Sequence, residues 1–276
     1  MHGAVSTNQI WDITYKDFLK HGDVILLSLI GHAPSTVSWS AAKDMYGLLK
    51  IQNNCINKII KKHYSNEKKK VILIGHSTGG TFSIMCNIFF PKKYYATIAL
   101  TPIIKLEVGI YSLLNIPLNI LSKTDEELLW KYNFDVLQYI IKNYHHVFNF
   151  FIPLFGTYKK NLQGQEKEYI ENFSAKILEQ NHMALKYYSL FFNDIMYNKK
   201  NSLYKMYKDF LNGKIRTEKP VLILGGKDDI LVEVNQQREA AKIINAKYVE
   251  IENCGHFCTL DSSPKIYQEI KDFLNI

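Results

Sequence analysis

The sequence predicts an α/β fold, a mostly parallel sheet flanked by helices, with a helical insertion between two parts of the core. Three observations predict it. Short runs of Val, Ile and Leu are nearly continuous, as strands buried on both faces should be. Segments of helical period separate these runs, and strand–helix alternation implies parallel pairing through crossover helices. From residue 105 to 212 the alternation stops, and aromatic-rich helical segments such as "DEELLWKYNFDVLQYIIKNY" and "ALKYYSLFFNDIMY" replace it.

In chain order, "NQIWDITYKDFLKHG" reads as a helix with Ile10, Ile13, Phe18 and Leu19 on its apolar face. "DVILLSLIG" (23–31) is the first expected strand, followed by a helical pattern over 39–64. "VILIG" (71–75) is the second strand and runs into a helix over 79–90. "YATIALT" (95–101), "VLILGG" (221–226) and "KYVEIEN" (247–253) complete the strands, with helices over 233–245 and 264–274. Before the last helix a serine N-cap, Ser263, stands immediately ahead of Pro264 at the first helical position. The expected division is a first core part over 1–104, a helical cap over 105–212 covering the carboxyl edge of the sheet, and a second core part over 213–276. The insertion is too apolar for a linker.

Composition narrows the partners. A chain of 276 residues, 47% hydrophobic and 22% charged, has room for one sizeable core. The net charge of +8 comes mainly from scattered lysines without a recognition motif, so no nucleic acid is expected. Attraction to anionic lipid leaves peripheral membrane contact open, and the sequence sets no oligomeric state. The longest apolar run, "HHVFNFFIPLFGTY", is too short to span a bilayer and contains Pro153 and Gly156. Cys55, Cys86, Cys254 and Cys258 are too few and too irregular for a disulfide scaffold, which makes a reducing, cytoplasmic compartment the default. Cys254 and Cys258 flank His256, but no second ligand pair follows at metal-site spacing. Buried thiols are expected there, and no metal.

The chemistry concentrates in "VILIGHSTGG". A buried strand enters Gly75-His76-Ser77-Thr78-Gly79 and a helix leaves it, which puts Ser77 on a sharp strand-to-helix turn. Small residues are needed two positions to either side because such a turn brings backbones into contact. The G-x-x-x-x-G-K-[ST] phosphate loop is absent. A serine needs a base and the base an orienting partner. Lys227-Asp228-Asp229 follows one later strand and Gly255-His256 another, each just past a carboxyl end where loops converge.

On these residues the chain resembles the α/β-hydrolase family over nearly its whole length outside the insertion. "GHSTGG" resembles the nucleophile elbow, "GGKDDILV" the acid loop and "CGHF" the histidine loop. The resemblance implies Ser77 as nucleophile, His256 as base and an aspartate as the acid. The family spacing after Gly225-Gly226-Lys227 favours Asp228, with Asp229 in a place often held by proline. "SLIGHAPS" (28–35) resembles the Gly-His-x-x-Ser turn, which leaves His2-Gly3 as the oxyanion loop. Ala4 and Thr78 would then supply the two backbone N–H donors. Gly31-His32-Ala33 is the alternative oxyanion loop.

The family places a strand before His2, between the 23–31 strand and the nucleophile strand, and the chain does not contain it. The expectation is therefore an N-terminally incomplete core, with Met1 internal to a longer protein or a misplaced start. His76 is expected to pack and hydrogen-bond rather than to catalyse. His145, His146 and His182 are expected as surface or satisfied histidines, and Glu107 is a minor rival for the acid. The implied activity is that of a serine hydrolase cleaving carboxylic esters of lipid-like or acyl substrates through an acyl-serine, with no metal or organic cofactor. An acyl-thioesterase is the second reading, and a non-catalytic ligand-binding member of the fold the third.

Overall fold

The computed structural model describes residues 1–3, 6–41, 43–64, 70–103, 126–157, 163–192, 208–209 and 212–276. Four parallel strands form one sheet in the order β1 (Ile72–His76), β2 (Ala96–Leu100), β3 (Val221–Gly226), β4 (Lys247–Ile251). Their pairing aligns Gly75 with Ala99, Leu100 with Leu224, and Gly226 with Ile251, so the carboxyl ends finish along one edge.

Strand alternation divides the core in two. Leu73, Ala99, Val221 and Ile223 point into one apolar layer, while Ile74, Ile98, Leu100, Leu222 and Leu224 point into the other. Both faces of β2 and β3 are dry, which is why those strands carry hardly a polar residue, whereas β4 at the edge holds Lys247 and Glu250 and is mostly half-buried. The first layer is closed by α2 (Met45–His63) and α3 (Thr78–Phe89). On α2, Met45, Leu48, Leu49 and Ile56 recur at helical spacing on the buried face. Asp44 caps that helix by accepting from Gly47 N–H at 2.6 Å.

Between β2 and β3 lie α4 (Glu127–Gly156), α5 (Gly164–Glu171), α6 (Phe173–Leu178) and α7 (His182–Phe192). Phe173, Ile177, Tyr169 and Ile141 from α4 to α6 join the second layer. Between β3 and β4, α8 (Val234–Ile244) packs on the first layer through Ala240, Ala241 and Ile244. α9 (Cys258–Asp261) and α10 (Ser263–Leu274) close the second layer, the latter through Ile266 and Ile270. α10 begins at Ser263 with Ser262 at the cap position and no side-chain cap bond, one residue earlier than the serine–proline pattern predicts. No helix among the described residues is long and apolar enough to cross a membrane.

Two expectations are corrected. Residues 23–29 form no strand. A strand requires a hydrogen-bonded neighbour, and here backbone bonds go to side chains: Leu29 N–H donates to His2 Nε2 at 3.0 Å and Ile30 N–H to Gln52 Oε1 at 2.7 Å. Met1 takes a ladder position beside β1 instead. Its amino group donates to the Ile74 carbonyl at 2.6 Å and its carbonyl accepts from His76 N–H at 3.0 Å. The second correction concerns the N-terminal helix, which is a 3-10 turn, Asn8–Trp11, and a short α1, Tyr15–Phe18. Ile10 is fully buried but Leu19 is exposed, and nine residues at about 100° each put the two on opposite faces even of an unbroken helix.

Candidate active site

Ser77 sits between β1 and α3 with φ 53° and ψ −123°, a combination a side chain rarely adopts. Its N–H donates to the Leu100 carbonyl at 2.9 Å, and its carbonyl accepts from Thr81 N–H at 3.1 Å, so the neighbouring strand and the first helical turn both hold it. The tight turn explains the flanking glycines. A Cβ on Gly75 would stand 2.1 Å from the Gly79 carbonyl oxygen, and one on Gly79 would stand 2.2 Å from that of His2. Thr78 occupies the first helical position, where a backbone N–H has no acceptor within the helix.

His256, in the loop after β4, is buried with both ring nitrogens engaged. Its Nε2 lies 2.9 Å from Ser77 Oγ and its Nδ1 2.9 Å from Asp229 Oδ2. The loop is fixed from three sides. Its His256 carbonyl accepts from His76 Nε2 at 2.8 Å and from Thr101 Oγ1 at 3.0 Å, and Gly255 N–H donates to Asp261 Oδ2 at 2.7 Å. His76 thus braces the histidine loop, stacked on Phe257, and makes no bond to Ser77 Oγ. Burial, with the neighbouring His256 second, lowers the His76 pKa to about 3.

The aspartate that meets His256 is Asp229, and Asp228 is corrected accordingly. Asp229 N–H closes a turn onto the Gly226 carbonyl at 3.2 Å, which swings its side chain inward. Its Oδ1 accepts from Leu231 and Val232 N–H at 2.9 Å each, leaving Oδ2 for the imidazole. Asp228 donates its N–H to the Cys254 carbonyl at 2.9 Å and its side chain is exposed to water.

Of the two candidate oxyanion loops, Gly3 lies against the serine. A Cβ there would be 2.9 Å from Ser77 Cβ, whereas one on Gly31 would meet Met183 instead. Ala4, the next residue, lies outside the described residues, as does Glu107. His2 is buried; its Nε2 accepts from Leu29 N–H, so Nδ1 carries the proton and donates to the Gly3 carbonyl at 2.8 Å. Sequence reasoning missed a neighbouring group. His32 Nε2 is 2.5 Å from the Tyr188 hydroxyl, which itself lies 3.4 Å from the Gly3 carbonyl oxygen. Only the His32 half had a sequence signal, in "SLIGHAPS". Burial lowers the His32 pKa to about 4 and that of His2 well below the usual imidazole range.

Cys254 and Cys258 are both buried beside the histidine loop with Cα atoms 5.4 Å apart, and the Sγ of Cys258 lies 3.2 Å from the Gly255 carbonyl oxygen. Among the described residues no group of three or more His, Cys, Asp or Glu is placed to hold a metal ion. His145 and His146 are exposed, and His182 Nε2 meets Glu127 Oε1 at 3.0 Å.

Residues 2–262 match the family of the α/β hydrolase fold, and the chain belongs to it. Solved structures agree in fold. MenH from S. aureus is 17% identical with a TM-score of 0.68, covering 100% of this chain and 91% of its own. An enol-lactonase from Burkholderia xenovorans LB400 is 13% identical with a TM-score of 0.69, covering 100% and 89%. A thermophilic esterase from Thermogutta terrifontis is 14% identical with a TM-score of 0.64, covering 99% and 87%. No curated protein matches the sequence.

Proposed function

We propose that the protein is a serine hydrolase of carboxylic esters, with Ser77 as nucleophile, His256 as general base and acid, and Asp229 as the orienting carboxylate. The observation that carries this reading is the continuous path from Asp229 Oδ2 through His256 to Ser77 Oγ, 2.9 Å at each link. A carboxylate at Nδ1 keeps the proton on that nitrogen and leaves the Nε2 lone pair facing the serine hydroxyl. Ser77 Oγ attacks the ester carbonyl and its proton passes to Nε2. The tetrahedral intermediate collapses with the proton delivered to the departing alcohol. Water, deprotonated by the same nitrogen, then opens the acyl-serine and releases the acid. The Thr78 and Ala4 N–H groups serve as oxyanion donors.

Aromatic surroundings favour an apolar acyl group. Phe173 and Phe257 meet edge to face at 5.9 Å beside the histidine loop, and α4 to α7 act as the cap over residues 105–212. Two of the structural neighbours are named as an esterase and an enol-lactonase, which fits ester chemistry on this scaffold.

Labelling with a fluorescent fluorophosphonate tests the reading. Labelling of the wild type that vanishes in Ser77→Ala is expected, followed by faster turnover of longer nitrophenyl esters than of short ones. Preference for acyl-thioesters would move the substrate to that class. Folded wild-type protein that takes no label would leave a ligand-binding role.

A further inference from the structure

We infer that Tyr188 and His32 are positioning residues that clamp the loop beginning at Gly3 for acyl transfer; the inference rests on the serine-hydrolase reading above. Gly3 backbone lies against Ser77, since a Cβ on it would approach Ser77 Cβ to 2.9 Å. The direction of its carbonyl therefore matters to the reaction. An acceptor oxygen free to turn toward the serine would face the negative charge developing on the substrate oxygen, whereas preorganised stabilisation requires donors there.

Two side chains commit that carbonyl elsewhere. His2 Nδ1 donates to it at 2.8 Å, in a tautomer fixed by Leu29 N–H on Nε2. The Tyr188 hydroxyl lies 3.4 Å from it and 2.5 Å from His32 Nε2. The His32 ring in turn packs edge-on against His2 at 5.0 Å and against Tyr188 at 5.2 Å, so the three side chains form one buried unit. Tyr188 belongs to α7, whose start also rests on the chain at Gly31, where a Cβ would meet the Met183 carbonyl oxygen at 3.4 Å. A helix from the insertion thereby reaches the loop beside the nucleophile.

Tyr188→Phe keeps the ring and removes the hydroxyl. Relative to the wild type, the kcat for a soluble ester and the rate of fluorophosphonate labelling are expected to fall about tenfold or more, with KM nearly unchanged, because the lost interaction serves the transition state. His32→Gln, which removes the imidazole holding that hydroxyl, is expected to give the same fall, and the double variant no more than either alone. Tyr187→Phe is the control on the same helix. Its buried hydroxyl has no hydrogen-bond partner among the described residues, so both rates should stay at the wild-type value. If Tyr188→Phe does not fold, His32→Gln decides alone. Wild-type rates in both variants, or a change confined to KM, would overturn the clamp while Ser77-dependent labelling of the wild type kept the hydrolase reading. A wild type that takes no label would remove the hydrolase reading and the clamp together.

Discussion

Asp229 is over-determined by its surroundings. Its carboxylate accepts two backbone N–H groups on one oxygen and faces His256 Nδ1 with the other, and it is buried. A neutral amide of the same shape would offer N–H where the imidazole N–H already points, forcing the wrong tautomer on His256. Asp229→Asn is therefore expected to lower kcat by about 10⁴-fold, the order found when a triad aspartate is so replaced. Asp228→Asn changes an exposed side chain one residue away and should leave kcat within about twofold, since surface substitutions away from such contacts have small effects. Ester turnover by the two variants checks the pair, and equal losses would show that the acid loop acts through its overall charge. The choice between the two carboxylates was not legible in the sequence. It depends on the turn that sends Asp229 N–H to Gly226, and on which of two adjacent side chains that turn directs inward. Ser77 and His256 were legible as candidates because "GHSTGG" and "CGHF" each follow a strand-like run and carry the resemblance to the family.

At the scale of elements, α4 has two apolar faces. Trp130 is buried at 1% exposure, while Leu128, two residues earlier and about 200° round the helix, is 81% exposed. Trp130→Ala is expected to cost about 3–5 kcal/mol in urea unfolding, as truncating a buried tryptophan leaves a cavity. Leu128→Ser should change stability by about 0.5 kcal/mol or less. Equal costs would mean that Leu128 is covered as Trp130 is. A helix apolar on both sides gives little periodic contrast, so its length was readable but its inward face was not. The strands show the same limit differently. "VLILGG" and "DVILLSLIG" have the same apolar character, yet only the first joins the sheet as β3. Composition reports that a segment is suited to burial. It cannot report whether a ladder partner reaches it, because that partner comes from elsewhere in the chain. The link from His32 to Tyr188 is hidden for the same reason, with 156 positions between its ends.

Across the whole molecule, three buried imidazoles contribute to the response to acid, beside the Met1 amino group, whose pKa burial lowers to about 5. His2, His32 and His76 are fully enclosed, and burial is the leading cause that holds each below its ordinary pKa, His32 at about 4 and His76 at about 3. In the unfolded chain all three bind protons near pH 6.5. Above that pH neither state is protonated, so the stability these sites provide is fully present. Between about pH 6.5 and 4 the unfolded chain takes up protons that the folded chain refuses, and stability falls with pH as linkage requires. His32 and His76 then lose about 2 kcal/mol each between pH 7.5 and 5, about 4 kcal/mol together, and His2 adds to the loss in the same direction, against a typical total of about 5–15 kcal/mol for a folded domain. The protein is expected to unfold on acidification near pH 5. The check is the urea midpoint at pH 7.5, 6 and 5, with His76→Gln as comparison: that variant should lose its own share of the slope whatever its stability at pH 7.5. A midpoint that holds steady down to pH 5 would mean that the folded state accommodates the charged imidazoles, and the close packing of His2, His32 and His76 around the Gly3 and Ser77 backbones would then have to open by more than a side-chain rotation to admit water.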